Sequence, residues 1–222
     1  MQFLALTENV ARTSPSANSF IFLSKRKIMS VSAIILSAGF SSRMGCAKAL
    51  LNYHGKTFLE NICENIPADS IKQLIIVKNP ILSFNKISRL KNNKISFAVN
   101  PQPENGMLSS FRCGLRALDS LSENVMLCLV DHPAVKKTTY EKLISQAENN
   151  KIIIPTYNAR RGHPVIFGTD FLTELLTGDC PQGAKSVVRR HQNNVKKIQV
   201  DDQGVLLDID TPAEAKNAGV TL

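Results

Sequence analysis

Residues 31–45 read Val-Ser-Ala-Ile-Ile-Leu-Ser-Ala-Gly-Phe-Ser-Ser-Arg-Met-Gly. The first six residues form a short apolar run, which predicts a buried strand. The small residues that follow, with Ala38 and Gly39 at their centre, predict a loop. Such a loop lets the backbone approach a triphosphate, and its successive N–H groups can bind phosphate oxygens. The segment therefore predicts a strand that leads into a phosphate-binding loop.

The pattern of strand and helix continues downstream. Further apolar runs, at residues 74–77, 95–99, 125–130, 152–154, 165–167 and 205–207, predict strands. Capping boxes or helical spacing predict helices over residues 57–66, 109–118, 138–141, 182–191 and 211–214. The polar residues 157–162 predict a hairpin turn. This alternation predicts an α/β fold over residues 31–222, a single domain with a mostly parallel sheet between two layers of helices.

Ligands of such sheets bind at the carboxyl ends of the strands, so we expect the chemistry after Leu36, Val99 and Val130. After Leu36, Arg43 and Lys48 supply positive charge for phosphates. The spacing is neither that of a Walker loop nor G-x-G-x-x-G. Without further signals, a flexible turn with two solvated cations explains the segment as well. The predicted nucleotide-binding residues here are Leu36, Ala38, Gly39, Ser41, Ser42, Arg43 and Lys48.

A second polar segment follows the strand that ends at Val99. Asn100, Gly106, Ser109 and Ser110 are predicted to meet the nucleotide, because free N–H groups and hydroxyls at a helix start can bind a base, ribose or phosphate. The alternative is an ordinary helix cap with a solvated face.

Carboxylates follow the strand that ends at Val130 and recur near the C-terminus. Asp131 is a natural ligand for Mg²⁺, and Asp208 or Asp210 can complete the site if strand alternation puts both on one side. Both motifs also occur as ordinary caps of loops and helices. We assign no chemistry to His132, since a histidine there is more often a packing residue. Residues 160–164 form a basic turn that can bind an anionic acceptor or simply be solvated.

Composition narrows the class of protein. The 222 residues are 43% hydrophobic, and no stretch approaches the roughly 18 apolar residues that cross a bilayer. The net charge is +9, but the basic residues are scattered and Trp is absent, which favours small anionic ligands over nucleic acid. Five cysteines without paired spacing argue against zinc and disulfides and favour the cytoplasm. Residues 1–30 are expected to be a disordered extension; the alternative is a misassigned start codon, with Met29 as a second candidate start.

Taken in order, these segments resemble the signature of the molybdenum-cofactor nucleotidyltransferases, and within it the cytidylyltransferases. The similarity runs over about residues 31–220. It is carried by residues 33–45 with 48–51, Asn100-Pro101, Gly106-Met107, Ser109-Ser110, Asp131-His132-Pro133, residues 161–164, Gly183-Ala184 and residues 207–212. The chain departs from the family pattern at Ser37, Leu108 and His132.

The resemblance implies a glycosyltransferase-A-like, Rossmann-like nucleotidyltransferase fold. It implies transfer of CMP from CTP to a molybdopterin-type phosphorylated acceptor with release of pyrophosphate, and Ala38 in place of a second glycine favours cytosine. It also implies Mg²⁺ on Asp131 and Asp210, catalytic roles for Arg43, Lys48 and Asp131, and acceptor contacts at Gly162 and His163. A molybdoenzyme or its chaperone is the implied protein partner.

Three alternatives stay open at this point. A nucleotidyltransferase that uses GTP, or that acts on a phosphosugar or another phosphorylated metabolite, needs the same loop and carboxylate. A protein that binds the nucleotide or cofactor without catalysis does not need a pair of metal-binding carboxylates. A polynucleotide-binding protein would show steeply salt-dependent binding to random DNA.

Overall fold

The computed structural model describes residues 29–41, 44–84, 94–121 and 123–220. The predicted N-terminal extension therefore lies outside the described residues, apart from Met29 and Ser30. The strands are β1 (Val31–Leu36), β2 (Asn52–Tyr53), β3 (Lys56–Thr57), β4 (Leu74–Lys78), β5 (Ile95–Val99), β6 (Asn124–Leu129), β7 (Ile152–Tyr157), β8 (Arg160–Arg161), β9 (Val165–Phe167) and β10 (Val195–Gln199). The helices are α1 (Phe58–Asn65), α2 (Met107–Arg116), α3 (Lys137–Ile144), α4 (Leu172–Thr177), α5 (Ala184–Arg190) and α6 (Pro212–Asn217).

One large sheet organises the described part of the chain. Its strand order is β10-β7-β9-β6-β1-β4-β5, and β8 pairs with β7. The pairs of β1 with β4 and β6, of β4 with β5, and of β7 with β10 are parallel. The short β9 runs antiparallel to both β6 and β7. The β7–β9 pair is the predicted hairpin, and β8 pairs with the end of β7 within its turn. The predicted mostly parallel sheet is confirmed.

Each face of the sheet carries its own hydrophobic core. Along β1, Ala33 and Ile35 join one core with α1 and α3, whereas Ile34 and Leu36 join the other with α2, α4 and α5. Successive side chains of a strand point to opposite faces, so a fully buried strand such as β1 must be covered on both sides. The three-layer α/β/α prediction is therefore confirmed as well.

Several predicted helix starts are present in detail. Thr57 and Glu60 form the predicted capping box of α1, and Thr211 and Glu214 form that of α6. Helix α2 begins at Met107 rather than Ser109, because Gly106 adopts a positive φ of 86° that L-residues avoid and turns the chain into the helix. No helix of the described residues has the length and apolar character that a membrane span requires.

Two local predictions are wrong, and one side chain explains both. Residues 205–207 are not a strand, because Gln203–Leu206 form a 3-10 turn that begins with Asp202 accepting a hydrogen bond from the Gly204 N–H. The predicted cap of α3 by residues 138–139 is not observed either, since neither threonine side chain accepts a hydrogen bond from the first turn of the helix. The buried Asp202 instead accepts hydrogen bonds from the Lys136 N–H and the Thr139 hydroxyl.

Candidate active site

The loop after β1 is held open by polar contacts with the neighbouring strand β4. The Ser37 hydroxyl donates to the Val77 carbonyl at 2.8 Å, and the Asn79 amide donates to the Ala38 carbonyl at 3.2 Å. The Asn79 side-chain oxygen in turn accepts from the Leu82 N–H at 2.8 Å. A Cβ placed on Gly39 would have no atom of the described residues within 4 Å, apart from its chain neighbours. The loop is thus anchored beneath while open space remains beside Gly39.

Ser41 couples this loop to the lysine that was predicted to bind phosphates. It has a positive φ of 50°, and its hydroxyl accepts a hydrogen bond from the Lys48 N–H at 3.2 Å. The Lys48 ammonium donates to the Asp210 carboxylate and lies 3.7 Å from Asp131 Oδ2. Lys48 is therefore a partly buried cation between two carboxylates, with 12% of its side chain exposed.

The carboxylates come together through one backbone contact. Asp131 follows β6, and its carbonyl accepts a hydrogen bond from the Ile209 N–H at 3.0 Å. That bond sets Asp208 and Asp210 beside Asp131, although residues 208–210 form no strand and strand alternation does not explain their placement. The three carboxylates face a single nearby cation among the described residues, Lys48.

This excess of negative charge acts on Asp208. Desolvation raises the pKa of the Asp208 carboxyl to about 6, and the charges of Asp131 and Asp210 act in the same direction. Lys48 opposes the increase but does not cancel it. A group of carboxylates whose charges repel one another is a place where a divalent cation is stabilising.

Two histidines adjoin the carboxylates. The rings of His132 and His163 are 5.2 Å apart, and the backbone N–H of His163 donates to the Val205 carbonyl at 2.9 Å. Burial lowers the pKa of His132 despite the nearby Asp131 carboxylate, and burial, with His132 and Lys185 nearby, lowers the pKa of His163 to about 3. Both imidazoles are therefore neutral near pH 7 in the absence of bound ligands.

The polar segment after β5 is held mainly by hydrogen bonds between its own residues. The Asn100 amide donates to the hydroxyls of Ser109 and Ser110 at 2.8 and 3.0 Å, and the Asn100 side-chain oxygen accepts from the Gln102 N–H at 3.0 Å. These bonds fix the start of α2, where Gly106 and Ser110 face the space beside the β1 loop.

One cleft collects residues from all three predicted strand ends. Its lining includes the predicted residues Leu36, Ala38, Gly39, Ser41, Lys48, Gly106, Ser110 and Asp131. Asn100 and Ser109 border a neighbouring depression instead, while His163 lies against His132 and Gly162 against the Val205 carbonyl. Ser42 and Arg43 lie outside the described residues. The structure thus brings most of the predicted residues together, while the roles assigned to them stay predictions.

Three contributing residues were missed or set aside. Asn79 follows β4 directly, so the rule that selected the ends of the other strands also applies to it. Asp208 was weighed against Asp210, but the structure pairs Asp210 with Lys48 and groups Asp208 with Asp131. His132 was set aside as a packing residue, yet it belongs to the same group. The last two placements depend on long-range contacts that local sequence patterns do not reveal.

The donor set beside Lys48 fits a divalent cation. Ligand atoms of Asp131, His132 and Asp208 lie within 4.8 Å of one another. Asp131 Oδ1 is buried, and no described residue donates a hydrogen bond to it, whereas Oδ2 faces Lys48. A buried carboxylate oxygen without a partner is costly, and a bound cation would remove that cost.

Comparison with known proteins finds relatives that are named for different activities. The chain is 27% identical to nicotine blue oxidoreductase of Paenarthrobacter nicotinovorans, over 82% of this chain and 92% of that protein. It is 29% identical to a probable molybdenum cofactor guanylyltransferase of Methanosarcina mazei, over 65% of this chain and 66% of that protein. It is 24% identical to molybdenum cofactor cytidylyltransferase of Escherichia coli, over 82% and 92%.

Solved structures agree on the fold. Rv0371c of Mycobacterium tuberculosis matches with a TM-score of 0.72 at 23% identity, over 86% of this chain and 97% of that chain. The manganese complex of the same mycobacterial protein matches with a TM-score of 0.66. The family model of the MobA-like NTP transferase domain matches residues 33–195, which include the β1 loop, Lys48 and Asp131. The chain therefore belongs to the MobA-like NTP transferase domain family.

Proposed function

We propose that the protein transfers CMP from CTP to the terminal phosphate of a molybdopterin-type acceptor and releases pyrophosphate. The observation that carries the proposal is the position of Lys48, which joins the small-residue loop after β1 to the carboxylates at 131 and 210. A cation in contact with a group of carboxylates, beside an open cleft, suits a triphosphate with a divalent metal.

In this proposal the chain acts mainly by positioning and by neutralising charge, because phosphoryl chemistry needs little covalent help from the protein. Backbone N–H groups around Gly39 hold phosphate oxygens, and the Lys48 ammonium turns from Asp210 toward the departing pyrophosphate. Arg43, which precedes Lys48 in the sequence, is proposed to share this task. The acceptor is proposed to approach from the side of His163, opposite to the leaving group, whereas Gly162 packs against the Val205 carbonyl and acts only by shaping that side.

Asp131, with Asp208 or Asp210, would hold the divalent cation; Mg²⁺ is the ion that the family resemblance implies. When bound, such an ion neutralises phosphate charge and fixes the orientation of the phosphates. The orphan Oδ1 atom of Asp131 supports this assignment. The five free cysteines suit the reducing cytoplasm, which we propose as the location.

The direct test is pyrophosphate release from each of the four ribonucleoside triphosphates, with Mg²⁺ and molybdenum cofactor as the acceptor. We expect release with CTP that depends on the acceptor. Release with GTP alone would show that the donor is GTP rather than CTP. The M. mazei relative is named a probable guanylyltransferase, which is consistent with that outcome. Release only with phosphosugars would replace the acceptor.

A second candidate function follows from the relative named as an oxidoreductase, which is similar along most of its length. The same preparation should therefore be tested for reduction of nicotine blue, the dye that this relative's name gives. Dye reduction without any pyrophosphate release would overturn the proposal in favour of redox chemistry.

A further inference from the structure

We propose that Asp131, His132 and Asp208 form a mixed nitrogen–oxygen cation site that binds a first-row transition cation, such as Mn²⁺ or Co²⁺, more tightly than Mg²⁺. The proposal deepens the proposed function, on which it rests for the ion's role, by assigning the cation class. It adds a ligand, His132, that the family resemblance does not imply.

The geometry supports three ligands from two separate parts of the chain. The ligand atoms of the three side chains lie within 4.8 Å of one another, and His132 Nε2 is 3.9 Å from Asp131 Oδ1. Ligands of one ion at about 2.1 Å each lie up to ~4.2 Å apart, so small side-chain rotations bring all three into contact with a shared ion.

Burial gives an independent reason to expect a ligand at this position. His132 is 7% exposed, and its Nε2 atom lies 3.9 Å from Asp131 Oδ1. Asp131 Oδ1 is itself buried and without a partner among the described residues. A buried carboxylate oxygen left unpaired is costly, and a cation held between this oxygen and the Nε2 atom of His132 removes that cost.

The nitrogen ligand decides which ion is preferred. Mg²⁺ demands oxygen ligands and keeps its waters, whereas imidazole suits Mn²⁺, Co²⁺ and Zn²⁺ increasingly well. A site of three carboxylates would not separate these ions in this way. His132 thus makes the site selective, while Mg²⁺ still binds at higher concentration through Asp131 and Asp208.

The test measures ion binding directly, on the full chain and without nucleotide. Mn²⁺ is titrated by electron paramagnetic resonance, Co²⁺ and Mg²⁺ compete for the site, and pulsed measurements detect nitrogen bound to Mn²⁺. We expect nitrogen modulation in the parent protein. His132→Gln should abolish it and raise the Kd for Mn²⁺ and Co²⁺ about 10- to 100-fold, while the Kd for Mg²⁺ changes little.

His54→Gln is the matched control, because His54 is exposed in the turn between β2 and β3 and should leave every Kd unchanged. Asp208→Asn should weaken all three ions. Absence of nitrogen modulation in the parent overturns the proposal even if His132→Gln does not fold. Equal losses for Mg²⁺ and Mn²⁺ in His132→Gln also overturn it. Pyrophosphate release is measured separately, so failure of the ion assignment is distinguishable from failure of the transferase proposal.

Discussion

Lys48 is the residue on which the charge balance of the cleft depends. Lys48→Met keeps most of the apolar stem but removes the ammonium between Asp131 and Asp210. We expect the rate of pyrophosphate release to fall about 10²- to 10³-fold, as when other preorganised charges are removed, while the circular dichroism spectrum stays that of the parent. Lys56→Met is the control, since Lys56 pairs with Glu64 on the surface. Turnover within a few-fold of the parent would show that Lys48 has no catalytic role.

Asp208 should make the metal-free protein less stable as the pH rises. Its folded-state pKa of about 6 lies above its ordinary value of 3.8, so between these values the folded state holds a proton that the unfolded state has lost. The stability contribution of the neutral form is therefore lost as the pH rises from about 4 through about 6. The change is modest because Asp208 is exposed.

The corresponding variant is Asp208→Asn, which stays neutral at every pH. In EDTA its Tm should exceed that of the parent near pH 7.5, and the difference should disappear near pH 3, where Asp208 is protonated in both states. Scanning calorimetry over this range measures it, with the exposed Asp179→Asn as the control. A Tm difference that is the same at both pH values would refute the assigned pKa.

Gly39 and Gly162 differ in the space beside them, which is open at Gly39 and filled by protein atoms at Gly162. A Cβ at Gly39 meets nothing within 4 Å, whereas a Cβ at Gly162 would come 2.2 Å from the Val205 carbonyl oxygen. Gly162→Ala should therefore lower the free energy of unfolding by about 1–3 kcal/mol. Gly39→Ala should leave stability within ~0.5 kcal/mol and raise the KM for the triphosphate. Denaturant titration and kinetics of both variants check this, and an unchanged KM in Gly39→Ala would exclude phosphate contact there.

At the scale of elements, Asp202 joins a 3-10 turn to a helix distant in sequence. It is 2% exposed, and its carboxylate accepts bonds from Gly204, Lys136 and Thr139. Asp202→Ala removes these hydrogen bonds at the start of α3 and in the 3-10 turn and leaves buried donors unpaired, so we expect a loss of about 2–4 kcal/mol in the free energy of unfolding. Urea titration measures it, with the exposed neighbour Asp201→Ala as the control. Equal small losses in both variants would show that the hydrogen bonds of Asp202 contribute little to stability.

The same element shows why some predictions failed. Strand β5 was predicted with its observed bounds, and the cap of α1 with its observed pair, because both depend on residues next to one another in sequence. Residues 205–207 were predicted as a strand from their apolar character, but the observed turn depends on Asp202. Sequence position located Lys48 and Asp131, whereas the grouping of Asp208 with Asp131 depends on a bond from Ile209 that local patterns cannot reveal.

At the scale of the whole molecule, the sheet brings distant segments to one edge. Strands β1, β4, β5 and β6 run parallel, so the loops that follow them meet on one side, although their residues are spread from 36 to 131. The cleft is lined from three of these loops, and Asn79 supports it from the fourth. The apolar cores on both faces keep the strands in register, and this fixes the distance between Lys48 and Asp131.

The net charge of +9 belongs to the molecule as a whole and acts over a longer range than the cleft. A positive chain attracts any polyanion, but without Trp and with few aromatic residues it has little means of stacking bases. We therefore expect random-sequence DNA to bind only at low ionic strength and to dissociate by about 150 mM salt, as counterion release requires. The kcat/KM for the triphosphate should fall only modestly over the same range, because close contacts in a cleft are screened less than distant surface charges.

Fluorescence anisotropy measures the DNA binding, and kinetics at matched salt concentrations measure kcat/KM. A chain that begins at Met29 lacks Lys25-Arg26-Lys27, so its DNA binding shows how much of the affinity comes from that cluster. Tight DNA binding that persists at 150 mM salt in both chains would revive the polynucleotide-binding alternative.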